Sequence, residues 1–128
     1  MFEKLGDELN AAKSLNNIGI SYFRLKNYDK SLQYHDLALQ KRRQMGSGNE
    51  IANSLSNIGQ VYEAKQQYEK ALEYYLESWD LNQKSENIWN AANNANNIGK
   101  VYLGLNNFPQ AEKYLEIASQ LADEIAAK

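Results

Sequence analysis

One phrase returns at a fixed interval along the chain: Asn-Asn-Ile-Gly at 16–19, Ser-Asn-Ile-Gly at 56–59 and Asn-Asn-Ile-Gly at 96–99. A spacing of 40 residues held three times is the mark of a repeat architecture. A repeat unit of this size cannot bury its own apolar face, so it must stack on its neighbours into an open, quasi-one-dimensional array.

Divided into blocks 7–46, 47–86 and 87–126, the chain shows which chemistry recurs. Ala12/Ala52/Ala92, Asn17/Asn57/Asn97, Ile18/Ile58/Ile98, Gly19/Gly59/Gly99, Tyr22/Tyr62/Tyr102 and Tyr34/Tyr74/Tyr114 coincide. Ile98, Val101, Tyr102 and Leu105 recur at helical spacing. A second helical stripe runs through Ala111, Leu115, Ala118, Leu121, Ala122 and Ile125. Between them Asn106-Asn107-Phe108-Pro109 reads as a turn and a helix start, with Asn107 as cap and Pro109 in the first turn. Lys26–Asp29 and Gln66–Glu69 break the other blocks at the same place, and Gly6-Asp7, Gly46–Asn49 and Ser85–Asn87 read as connecting turns. Each block is therefore expected to be a hairpin of two helices of about 16 residues, and the fold all-α: a solenoid of three antiparallel hairpins preceded by the tail of another helix at 1–6.

Gly19, Gly59 and Gly99 fall mid-helix, where Gly costs about 1 kcal/mol relative to Ala. Repetition of that cost predicts a ring or backbone lying against each glycine. Ser31, Ala71 and Ala111 are expected to be small for the same reason, with Tyr22, Tyr62 and Tyr102 filling the space beside them.

Composition narrows the functional classes. There is no Cys, one His and a net charge of −2. Disulfides and thiolate metal sites are excluded, and the slightly negative balance argues against nucleic acid or an anionic membrane surface, which call for a basic face. No run approaches the roughly 18 apolar residues of a membrane span, and Met1–Asn10 has no apolar signal core. The default location is the cytoplasm. No nucleophile–base arrangement or phosphate-cradling loop is present: Gly46-Ser47-Gly48 lacks the lysine of a P-loop. His35 is expected to pack against the core, Lys41-Arg42-Arg43 to form a solvated helix end, and Trp79 and Trp89 to pack between repeats. No enzymatic role and no cofactor are expected.

Ile-Gly-x-x-Tyr in the first helix, then an aromatic, a small residue three further on, and Ala seven after that, resembles the tetratricopeptide repeat. The resemblance covers all three blocks. It departs from the family's usual unit of about 34 residues, being similar to the long-repeat members of kinesin light chains, spindle-orientation adaptors and bacterial peptide-sensing regulators. The proline that often closes the family's second helix is replaced by Arg43, Gln83 and Asp123. The resemblance implies a right-handed superhelix whose first helices line a concave groove. Lys13, Asn16, Asn17, Ile20 and Arg24 would face it from the first block, then Asn53, Ser56, Asn57, Gln60 and Glu63, then Asn93, Asn96, Asn97, Lys100 and Leu103.

The amides among these carry both donor and acceptor, so each can pair with an extended peptide's backbone. First helices about 8–10 Å apart would match roughly every third residue of a peptide rising about 3.3 Å per residue. Asn17, Asn57 and Asn97 would form that ladder, or would instead fix the stacking of neighbouring helices. Selectivity would come from Ile20, Phe23, Arg24, Gln60, Glu63, Lys100 and Leu103. The carboxylate clamp of chaperone-binding members does not carry over, because Asn93 and Asn97 stand where it needs basic residues. The expected function is a non-enzymatic scaffold for a protein or peptide, without nucleic acid or membrane. The alternatives are an assembly element pairing copies through terminal hairpins without a polar cap, in a piece of a longer array, and the peptide-sensing part of a bacterial regulator.

Overall fold

A computed structural model describes the backbone of residues 2–127 and the side chains of residues 6–127. Among these residues there are six helices and no strand: α1 (Phe2–Arg24), α2 (Tyr28–Met45), α3 (Gly48–Ala64), α4 (Tyr68–Lys84), α5 (Ile88–Gly104) and α6 (Phe108–Ala127). They pair as antiparallel hairpins α1/α2, α3/α4 and α5/α6, and each hairpin packs on the next. The all-α solenoid is as expected. The turn at Gly6-Asp7 is not: α1 runs through it unbroken for 23 residues.

Each hairpin turn is built the same way. Lys26, Gln66 and Asn106 adopt left-handed φ of 62°, 61° and 60°. The next residue's N–H then reaches back to a carbonyl five positions earlier: Asn27 to Tyr22, Gln67 to Tyr62 and Asn107 to Tyr102, each at 2.9 Å. This closure satisfies carbonyls that a helix end leaves orphaned. The same residue starts the second helix, and Asn27 and Asn107 accept from the N–H three residues on at 3.3 and 3.4 Å. Asn107 therefore caps α6 as expected.

The core forms where hairpins meet. Leu39, Ile51, Leu55 and Ile58 join α2 to α3, and Ala71, Tyr75, Ile98 and Val101 join α4 to α5. Full burial of a residue such as Leu55 or Ile58 contributes about 1.5–3 kcal/mol. Ile18, the same position in the first block, is 39% exposed.

The glycines make room for side chains of the partner helix. A Cβ on Gly19 would lie 2.8 Å from the His35 ring, on Gly59 2.7 Å from the Tyr75 ring, and on Gly99 2.7 Å from Leu115. The tyrosines expected beside them do something else. Tyr22 stacks on Tyr34, Tyr62 on Tyr74 and Tyr102 on Tyr114, with ring centroids 5.6–5.8 Å apart. Ser31 is more than small: its Oγ donates to the Gly19 carbonyl at 2.7 Å.

Two expectations need correction. Arg42 does not belong to a solvated end; it is 5% exposed, and its Nη1 donates to Ser54 Oγ at 2.8 Å and to the Glu50 carbonyl at 3.2 Å. Trp79 packs edge-on against Tyr114 as expected, but Trp89 is 68% exposed. The outer face of the last hairpin is mixed. Where α4 has Leu72, Leu76 and Trp79 packed on α5, α6 has Glu112, Glu116 and Ser119, all exposed. Leu103, Phe108 and Leu115 line a shallow hollow beside them.

Candidate functional site

A groove of about 400 Å³ crosses the first helices of the hairpins. Its walls are Asn16 of α1, Asn53, Ser56, Asn57 and Gln60 of α3, Asn82 of α4, and Asn90, Asn93, Asn94, Asn96 and Asn97 of α5. Every lining side chain is an amide or a hydroxyl, and none is charged. This follows from the sequence: Asn53/Asn93, Ser56/Asn96 and Asn57/Asn97 are 40 apart, so the period that stacks the helices also sets their amides side by side.

The floor of the groove is already hydrogen-bonded. Asn57 Nδ2 donates to Asn16 Oδ1 at 2.9 Å, across two hairpins. The same oxygen lies 3.1 Å from His35 Nδ1, which donates to it as the neutral tautomer. Deeper still, Asn94 Nδ2 donates to Ser56 Oγ at 3.0 Å and to Ser78 Oγ at 3.1 Å, and Ser78 Oγ donates to the Ala52 carbonyl at 2.8 Å. Asn82 Nδ2 donates to Asn94 Oδ1. Buried polar groups are tolerable only when paired in this way. The network ties α3, α4 and α5 together and holds the floor rigid.

Asn57 thus takes the stacking role rather than a free rung. Asn53, Gln60 and Asn93 are exposed along the rim, and with Asn96 and Asn97 they present amides without a partner among the described residues.

The remaining expected residues scatter. Lys13, Asn17, Ile20, Arg24 and Lys100 do not line the groove, and Asn17 is exposed apart from Asn57 and Asn97. The Glu63 carboxylate accepts from the buried Tyr75 hydroxyl at 2.8 Å, which commits it to the hairpin. Burial, and then that bond, push the Tyr75 pKa well up. Of the proposed selectivity residues only Gln60 lines the groove. Asn82, Asn90 and Asn94 were not foreseen. The available signal was polarity at inward positions: Asn94 aligns with Ser14 and Ser54, and Asn82 with Arg42.

His35 is buried, and its pKa is lowered to about 4 by desolvation and then by the Arg42 charge. It is neutral near pH 7 and serves as a fixed donor to Asn16. Among the described residues no group of three or more His, Cys, Asp or Glu could hold a metal ion, and no helix is long and apolar enough to cross a membrane.

Comparison with known proteins places the architecture. The TPR domain of Arabidopsis FLU superposes with a TM-score of 0.86 at 14% identity, over 91% of this chain and 98% of that one. Aspartyl phosphate phosphatase F from Bacillus subtilis gives 0.88 at 16% identity over 94% of this chain, and the apo form of RapI 0.88 at 22% identity over 94%. The chain spans 32% and 34% of those two proteins. Comparison with curated proteins finds no significant match. The family model for the tetratricopeptide repeat matches residues 10–84 and 50–124. With the hairpins, their glycine contacts and their stacking, that match makes this chain a member of the tetratricopeptide repeat family.

Proposed function

We propose that the chain is a non-enzymatic protein-interaction module that holds an extended segment of a partner protein along the amide groove. The observation that carries this reading is the wall itself: eleven lining residues, all neutral hydrogen-bonding groups. Such a surface matches a peptide backbone, which offers one donor and one acceptor per residue, better than it matches a charged ligand. Asn53, Gln60, Asn93, Asn96 and Asn97 are the contacting residues. Asn16, Asn57, Asn82 and Asn94 hold the floor in place. A neutral groove gives little electrostatic steering, so affinity would vary weakly with salt. A partner inside a reducing compartment suits a chain without cysteine.

Selection of random twelve-residue peptides against the chain tests the reading. Selected peptides should bind the Asn53→Ala/Asn93→Ala/Asn97→Ala variant at least tenfold more weakly, with its helicity unchanged. Peptides that bind this variant as tightly as the parent would sink the proposal.

A further inference from the structure

An amide groove pairs with peptide backbone, which every sequence shares, so it does not by itself tell one segment from another. Of the selectivity residues read from the sequence, only Gln60 lines it. Trp89, 68% exposed, stands beside it. Helix geometry fixes that place. Trp89 lies in the first turn of α5, next in sequence to the groove-lining Asn90. It shares an i, i+4, i+7 stripe with Asn93 and Asn96, which also line the groove. One turn separates the indole from the rim amide of Asn93, with about 5–6 Å between their Cβ atoms.

The repeat shows that this position is open by geometry. One block earlier it is occupied by Asn49, which is exposed although the third hairpin packs against its own. An indole in water forgoes the gain from burying its apolar surface, and a partner that covers it recovers that gain. Tryptophan is for this reason a frequent centre of binding energy at interfaces. The surroundings select what can cover it. No charged side chain lines the groove, and the N-terminal end of α5 carries the positive end of the helix dipole, which disfavours a cation. Glu86, the nearest carboxylate in sequence, lines a separate apolar hollow with Ala91, Ile117 and Leu121. The negative face of the indole in turn disfavours an anion. A neutral, apolar side chain is what remains.

We propose that Trp89 is the specificity determinant of the groove, taking a large apolar side chain from the same extended segment whose backbone the amides hold. This role rests on the groove reading. The amides admit an extended backbone, and Trp89 sets a preference for one residue class at one place along it. Side chains alternate along an extended segment, so the immediate neighbours of that residue point away from the indole and are free to vary.

The test selects random twelve-residue peptides in parallel against the whole chain and against Trp89→Ala, whose helicity circular dichroism should show unchanged. Peptides selected on the parent should share a large apolar residue at one position, with variable neighbours, and those selected on Trp89→Ala should not. Trp89→Ala should weaken the parent-selected peptides about tenfold, and so should alanine in place of their shared residue. The two changes together should cost little more than either alone, the mark of direct contact. Binding that falls with Asn53→Ala/Asn93→Ala/Asn97→Ala but not with Trp89→Ala would overturn the specificity role and leave the groove standing. Fully additive costs, or a shared residue that is charged, would do the same. Binding indifferent to the triple amide variant, or no selected peptide at all, would overturn both the groove reading and the role of Trp89.

Discussion

At the scale of single residues, a small number of close contacts decide how much change the chain tolerates. Gly59→Ala adds a Cβ 2.7 Å from the Tyr75 ring. The helix-propensity gain of about 1 kcal/mol is outweighed by overpacking of roughly 1–3 kcal/mol, so urea denaturation should show a lower midpoint. Gly48→Ala meets no atom within 4 Å and should instead raise it, by roughly 0.5 kcal/mol. His35 makes a second residue-level prediction. Its folded pKa of about 4 lies below the unfolded value of 6.5, so the unfolded chain binds more protons between the two. Stability therefore falls as pH drops through that window, by about 3 kcal/mol at pH 4, and levels off below it. His35→Leu, the residue type of the third block, should lose this part of the acid sensitivity; an unchanged pH profile would refute the assignment. The glycines and His35 were legible in the sequence as close-packed positions. Arg42 was not, because a basic run at a helix end looks solvated until the next hairpin's Ser54 and Glu50 are placed over it.

Among the elements, the hairpin turn is the repeated device, and it carries local strain. Gln66 is left-handed at φ 61°, a conformation costing a side-chain-bearing residue about 1–2 kcal/mol. Gln66→Gly should stabilise the chain by about 0.5–1 kcal/mol after the entropic cost of glycine, measured by thermal or urea unfolding. A neutral or destabilising result would mean that the Gln66 side chain makes a compensating contact. The helix spans and turns were readable because apolar period, breaker residues and caps agree, as at Asn106–Pro109. Gly6-Asp7 misled because a glycine before an acidic residue is a turn signal, yet α1 continues through it.

Across the whole molecule, the period that stacks the hairpins also builds the groove, and one amide set has to serve both ends. Asn94→Ala should cost about 1–3 kcal/mol, since it strips partners from Ser56, Ser78 and buried Asn82. Asn93→Ala, exposed on the rim, should change stability by less than about 0.5 kcal/mol. Equal costs would erase the division between floor and rim. The sequence revealed that an amide-rich surface exists, but not that division. A 40-residue alignment shows which residues share a face, whereas the Asn57–Asn16 bond depends on the offset between neighbouring helices. Lys13, Arg24 and Lys100 were expected in the groove for the same reason, and packing leaves a wall without charge.

The central claim, a neutral groove that pairs with peptide backbone, is met most directly by side-chain amide NMR of the chain titrated with a selected peptide. The account predicts that shifts concentrate on Asn53, Gln60, Asn93, Asn96 and Asn97, with Asn17 on α1 and Gln110 and Gln120 on α6 unmoved. Shifts centred on α6 or on the outer surface of α1, with the amide groove silent, would contradict it.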